Sequence, residues 1–290
     1  MIDFDLTTDE GAVVDAARQV AGAGDPWAAL VRGGWVDLLL DDADAGMRYL
    51  GLVAEELGSA NVSVPLAGSA VFWPLVFHSS ADGQRIGVAE DGLCEDGSSA
   101  ERVIVISEGG ARVDAYADFT IDLVGHLDGD GLAQLRLDGE PVADSTDAQA
   151  IADARVAATA IACAEMAGAV RRIVDLTLGY VREREQFGRA LATFQVVQHG
   201  CARLATLSEA ATLAARMAYV SPTTSDVDKA KGWLSASSAE ISAIAHQLHG
   251  ATGFTQEYPL QRLTKRLRTL RFAWGDDASH HSALGRRSAG

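Results

Sequence analysis

Arg184-Glu185-Gln186-Phe187-Gly188-Arg189, followed by Phe194-Gln195 and answered some sixty residues later by Gln247-Leu248-His249-Gly250-Ala251-Thr252-Gly253-Phe254, decides how this chain is read. Either half alone is ambiguous, because a short Arg/Glu-rich run is equally an ordinary helix end with surface charges. The residue types have a definite use beside an anionic dinucleotide. Arg184 offers a planar, permanently charged fork to a pyrophosphate, and Gln186 can hydrogen-bond polar edges. Phe187 presents an apolar face to a ring. Gly188 is expected to interrupt the helix and let backbone approach a ligand closely. The two halves at this joint spacing are far more specific than either one.

Working outward, residues 150 to 220 contain no proline and carry long Ala- and Leu-rich helical patterns. Ser221-Pro222-Thr223-Thr224-Ser225 reads as a turn and cap, followed by a helix from about Asp226 to Leu248. Upstream, from about Arg85 to Asp147, the period shortens. Val103–Ile106, Phe119–Leu123 and Leu132–Leu137 are β-like runs separated by Gly109-Gly110, Asp128-Gly129-Asp130-Gly131 and Asp138-Gly139. The passage Gly87–Gly92 leads almost directly into the first of these runs. The first seventy residues are helical again. Thr7-Thr8 before Asp9-Glu10 is a capping signal, Pro26–Val31 fits a second helix stopped by Gly33-Gly34, and Ala45–Leu57 fits a third ending at Gly58. Asn61–Pro65 then leads to an apolar stretch around Trp73. The expected fold is mainly α with a small β module: a helical region over 1–80, a reduced β region over 81–149 and a helical bundle over 150–290.

Composition narrows the function classes. A 290-residue chain with 48% hydrophobic residues is long enough to bury a substantial core. Its net charge of −16 argues against sequence-independent nucleic-acid binding, which depends on neutralising phosphates. No apolar run reaches the roughly 18 to 20 residues of a membrane span, and the amino terminus lacks the basic flank of a signal peptide, so a cytoplasmic location is expected. Cys94, Cys163 and Cys201 lie far apart and read as buried small residues rather than a disulfide or metal framework. His246 and His249 share a helix face but have no neighbouring carboxylate or thiol to complete a metal site. Arg262, Lys265, Arg266, Arg268 and Arg271 crowd into one segment, where they can meet an anionic ligand or an acidic partner surface. The plainer reading is the solvated face of an amphipathic helix, since Leu263, Leu267 and Leu270 recur beside them. Glycine-rich nucleotide loops, nucleophile elbows and Glu-x-x-His di-iron pairs are all missing from the sequence.

With these residues in view, 150 to 275 resembles the carboxy-terminal helical domain of the acyl-CoA dehydrogenase family. Trp35, Val53-Ala54-Glu55-Glu56-Leu57-Gly58 and Val64-Pro65 resemble parts of the family's amino-terminal helical domain. Members bind FAD at a dimer interface, where the mate reaches across to hold the adenosine and pyrophosphate. The resemblance implies that Arg184, Gln186 and Phe187 contact a partner's FAD, with Gln195 near its adenine end and Gln247, Gly250 and Gly253 along the phosphate and ribose.

Two departures from the family pattern carry as much weight. The Thr/Ser-rich and Trp-containing strands that lie against the flavin ring in the family have no counterpart between Gly87 and Ile106. Trp274, sixteen residues after Tyr258, stands where many members carry the catalytic glutamate, and an indole cannot abstract a proton. The alternative base position, near Ala157-Ala158-Thr159, holds no acid. Glu165, Asp276 and Asp277 are the nearest carboxylates in sequence; the plain reading of Glu165 is a residue paired locally, and of Asp276-Asp277 an exposed turn. By resemblance, then, the chain is like the shortened subunit of heterotetrameric (α2β2) actinobacterial steroid-type acyl-CoA dehydrogenases, sharing FAD and an acyl-CoA substrate with a longer homologous partner. A flavin-free scaffold built on the same bundle, or a self-sufficient homomeric dehydrogenase with a relocated base, are the alternatives.

Overall fold

The structure is a computed structural model and describes residues 6–90, 93–95, 99–107, 112–123, 133–220 and 222–288. Thr7 opens α1 (Thr8–Ala21) with a reciprocal cap: Glu10 N donates to Thr7 Oγ1 at 3.3 Å, and Thr7 N donates to the Glu10 carboxylate at 2.7 Å. Two of the N–H groups that a helix start leaves unpaired are thereby satisfied. Pro26 at the first turn and Asp25 as cap start α2 (Pro26–Arg32). A single turn, α3 (Leu38–Asp41), precedes α4 (Ala43–Ala60), and a π-helical turn over Ala67–Phe72 runs into α5 (Trp73–Phe77).

The carboxy-terminal half is helical: α6 (Ala148–Glu183), α7 (Gln195–Val220), α8 (Thr224–His249), α9 (Leu260–Phe272) and α10 (Asp277–Ser288). Asp147 caps α6 through the backbone N–H groups of Gln149 and Ala150, and Thr223 caps α8 through that of Asp226. Helices of this length are held by their packed faces more than by intrinsic propensity. One contiguous core runs from Val14 of α1 through α4 and α6 to Leu270 of α9, so the first helices and the bundle share an interior. Each fully buried leucine in it, such as Leu50 or Leu57, contributes about 1.5–3 kcal/mol.

The expected helix stop at Gly58 is not one. α4 continues to Ala60 and ends on Asn61, which adopts the left-handed region at φ 56°. A Cβ on Gly58 would come within 2.1 Å of the Glu165 carbonyl oxygen, so this glycine serves the close approach of α4 to α6. Packing glycines and capping glycines look alike in a single sequence. Beside this contact, buried Glu55 meets Arg171 Nη1 at 3.4 Å, Arg216 Nε at 3.8 Å and the Tyr219 hydroxyl, which donates at 2.8 Å. Glu56 takes Arg171 Nη2 at 2.8 Å and Arg18 Nε at 3.2 Å. Burial pushes the Glu55 carboxyl above its usual range, against the pull of Arg216, Tyr219 and Arg171, and burial together with Glu55 pushes the Tyr219 phenol up.

Between the helical halves lies a sheet of β1 (Ile86–Glu90), β2 (Leu93–Glu95), β3 (Arg102–Ile106), β4 (Val113–Tyr116), β5 (Phe119–Leu123), β6 (Ala133–Leu137) and β7 (Ala143–Ser145). Its order is β5-β6-β2-β1-β3-β4-β7; β1 and β3 run parallel, and the other neighbours antiparallel. Three of these strands match the β-like runs in the sequence, although Leu132 falls outside the described residues, as do Gly109-Gly110 and Asp128–Gly131. The passage at Gly87 is itself part of central strand β1, and β2, β4 and β7 are three to four residues long, too short to show a period. The sheet docks on the π-helical turn, where Ser69 Oγ donates to Gln84 O at 2.9 Å and accepts from Ile86 N at 2.9 Å. Cys94 and Cys163 are buried as expected and Cys201 is half-buried; burial pushes the Cys163 thiol up to about 12.

Candidate functional site

Helix α6 ends at Glu183, and Arg184 turns extended at φ −76°, ψ 122°. A two-residue hairpin follows, pairing β8 (Glu185–Gln186) with β9 (Arg189–Ala190), Gln186 opposite Arg189. Its two central residues, Phe187 and Gly188, both have positive φ, 56° and 79°. That is the geometry of a type I′ turn, whose twist matches that of the strands. Gly188 therefore does not interrupt a helix; it lets a hairpin close beyond one that has already ended. The Phe187 ring is thrust outward, 91% exposed, and meets Phe194 edge-on at 6.1 Å. Arg189 lies over the other ring, its guanidinium 4.1 Å from the Phe194 centroid. Leu191 N donates to Arg184 O at 2.8 Å and fixes the hairpin root, and a 3-10 turn over Leu191–Thr193 delivers Gln195, exposed, as the first residue of α7. Arg184 and Gln186 are exposed, and Arg184 makes no ion pair among the described residues.

At the end of α8, Gly250 adopts φ 59°, ψ −142°, a conformation essentially reserved for glycine, and opens a 3-10 turn over Gly250–Phe254. A Cβ there would meet nothing within 4 Å, so backbone lies open to a ligand. Gly253 differs: it is buried, and a Cβ would come within 3.0 Å of His249 and 3.1 Å of Leu260, so it seats the loop on α9. Tyr180, one turn before Arg184, ties the two motifs together. Its hydroxyl lies 3.3 Å from His249 O and 3.4 Å from Thr252 Oγ1, and its ring stacks on His249 at 4.4 Å. Gly200 of α7 leaves room for Leu248 of α8, so Gln195 and the exposed Gln247 belong to the same end of the bundle. Burial lowers the affinity of His246 and His249 for a proton, keeping both imidazoles below their usual range. His249 is engaged by Tyr258 and His246 by Thr264 and the Phe254 ring, and no group of three or more possible metal ligands occurs among the described residues.

Around Trp274, the neighbouring side chains are held by packing, hydrogen bonds and ion pairs. Trp274 has φ 59°, and its ring stacks on Phe72 of the π-helical turn at 5.5 Å and 19° between planes. Its carbonyl accepts from His280 Nε2 at 3.1 Å, and the other ring nitrogen of His280 lies 2.5 Å from Asp228. The fully buried Lys231, which sequence reasoning missed, donates to Arg271 O at 2.9 Å, Gly275 O at 2.7 Å and Ser235 Oγ at 3.1 Å. A lysine within a helix carries no sequence mark of such burial. Glu165 is not paired locally: it meets Arg266 at 2.7 Å, across 101 residues of chain. Nor are Asp276 and Asp277 a bare turn. Asp276 accepts from Ser279 N at 2.9 Å and Ser279 Oγ at 2.7 Å, bonds that hold its carboxyl below the usual range, while Asp277 opens α10 and pairs with Arg271 at 2.9 Å.

Residues 149–289 match the family described as acyl-CoA dehydrogenase, C-terminal domain. Acyl-CoA dehydrogenase FadE28 of Mycobacterium tuberculosis is 27% identical and covers 99% of each chain, over 335 aligned positions. That exceeds the 290 residues here, so the alignment passes over segments which this chain lacks. Among solved structures, a steroid acyl-CoA dehydrogenase variant superposes with a TM-score of 0.82 at 20% identity, covering 97% of this chain and 98% of that one. The ChsE4–ChsE5 complex from Mycobacterium tuberculosis gives 0.80 at 20% identity over 99% of each chain. The carboxy-terminal half of the chain thus matches that family's carboxy-terminal domain, and the whole chain has the acyl-CoA dehydrogenase fold. The family is one of oxidoreductases, and no helix among the described residues is long and apolar enough to cross a membrane.

Proposed function

We propose that this chain is one subunit of a heteromeric FAD-dependent acyl-CoA dehydrogenase, supplying the half of the FAD site that reaches across the interface. The observation carrying this reading is an asymmetry. The hairpin bearing Arg184, Gln186 and Phe187 and the Gly250 loop stand exposed at one bundle end, while Trp274 is stacked inward and Glu165, Asp276 and Asp277 are each held by a partner. FAD fits the exposed end: an unpaired guanidinium for pyrophosphate, open backbone at Gly250 for the phosphate and ribose, and an outward Phe187 ring. When bound, FAD supplies the hydride acceptor for α,β-dehydrogenation of an acyl-CoA thioester. Within that assembly, Arg184 neutralises phosphate charge, Gln186, Gln195 and Gln247 hydrogen-bond polar edges, and Gly250 and Gly253 shape the loop that receives it. The longer homologous partner brings the flavin-ring cradle and the catalytic glutamate. Likeness to a two-protein complex and to a steroid enzyme supports this assembly and a bulky, steroid-derived acyl group.

Substituting Arg184→Ala in the co-purified complex removes charge-assisted bonds of about 1.5–3 kcal/mol. FAD affinity, followed by flavin fluorescence, is expected to weaken by roughly ten- to hundredfold. Unchanged retention removes Arg184 from the site.

A further inference from the structure

Helices α8 and α9 enclose a cleft of about 410 Å³ that the flavin reading does not use. It is lined by Ser238, Ser242, His246, Thr264, Lys265, Arg268 and Arg271, with Phe272 beside them, and by no carboxylate, in a chain of net charge −16. The basic segment splits in two on the structure. Leu263, Leu267 and Leu270 form the buried stripe, Arg266 is spent on Glu165, and Arg271 gives one amino group to Asp277. Lys265 and Arg268 make no ion pair among the described residues, and Arg271 Nε is buried without an acceptor.

We propose that this cleft binds the phosphate of a small anionic ligand through Lys265 and Arg268, with the Arg271 guanidinium adding positive charge to its wall. Two features of the fold remove the obvious objections. The C-terminal carbonyls of α9 would repel an anion, but Arg271 O and the following Gly275 O are taken by Lys231 Nζ from within. Glu240, the nearby acid on α8, is neutralised by a bidentate pair with Arg203. Ser238 and Ser242 hydroxyl protons are committed to backbone carbonyls at 2.7 Å and 2.8 Å, which leaves the cations as the anchors. Phe272, 54% exposed under the Arg271 guanidinium at 5.4 Å, offers a platform for a ring attached to that phosphate.

The test is calorimetric titration of the full chain, or of its complex, with pyrophosphate and with ADP at low salt. Both are expected to bind saturably, and Lys265→Gln/Arg268→Gln should weaken both at least tenfold. Lys265→Arg/Arg268→Lys should keep affinity within a few-fold and guards against a folding artefact. In the FAD-saturated complex, where the hairpin end is already occupied, both affinities should be unchanged, separating this cleft from the hairpin end. Tighter ADP binding that Phe272→Ala abolishes identifies a nucleotide; equal binding of the two probes identifies the phosphate alone. Absence of saturable binding, affinity indifferent to Lys265→Gln/Arg268→Gln, or binding abolished by saturating FAD overturns the proposal.

Discussion

Gly168→Ala is expected to be among the most damaging single-methyl additions to this chain. The new Cβ would lie 1.8 Å from Glu55 O and 2.8 Å from Ser59 N, both backbone atoms of α4, so no side-chain rotation relieves it. Helices α4 and α6 must separate, which strips the core that both halves share. Overpacking of a close-packed interior costs about 1–3 kcal/mol where neighbours can yield, and more where they cannot. A loss of at least ~3 kcal/mol is a large part of a typical domain's stability. Gly179→Ala on the same helix is the control, because its Cβ meets nothing within 4 Å and alanine should stabilise by about 0.5–1 kcal/mol. Urea midpoints of the two variants should move in opposite directions; a neutral Gly168→Ala would mean that α4 and α6 do not touch as described.

Arg171→Ala should rank next, through charge rather than shape. Arg171 bridges Glu55 and Glu56, whose side chains are 3% and 7% exposed. Breaking a buried pair costs about 3–5 kcal/mol. Arg171 itself is 30% exposed and each carboxylate keeps a second arginine, Arg216 or Arg18, so a smaller loss, about 2–3 kcal/mol, is expected near neutrality. The pH dependence has a definite sign. Burial raises the Glu55 carboxyl above its unfolded value, so its contribution is fully present below the unfolded value and is lost as pH rises through the folded one. Removing Arg171 raises the folded value further, and the defect should grow from pH 4.5 to 7.5. An equal defect at both pH values would assign the loss to packing instead.

The legibility of this chain in its sequence was uneven for physical reasons. Long helices with a regular apolar stripe, such as α1 and α9, announce their faces and caps locally: Thr7 and Glu10 lie three apart, and Leu263, Leu267 and Leu270 mark the buried side. The motif at Arg184–Arg189 was recognisable as chemistry, yet its hairpin was not. Phe187 takes a positive φ that non-glycine residues seldom adopt, and nothing in the residue itself signals that. Partnerships across great chain distances were invisible for a different reason. Glu165 and Arg266, or Lys231 and the carbonyls of Arg271 and Gly275, are joined only once helices have packed. The same holds for Trp274: its identity rules out a base, but its stacking on Phe72 from the opposite end of the sequence is a property of the fold.

The flavin content of this chain, purified alone and co-purified with its longer homologue, tests the central proposal most directly. Visible absorbance and released FAD should be negligible for the chain alone and near one FAD per pair of unlike chains in the complex. Full flavin occupancy in a homo-oligomer of this chain, or a colourless co-purified complex, would contradict it.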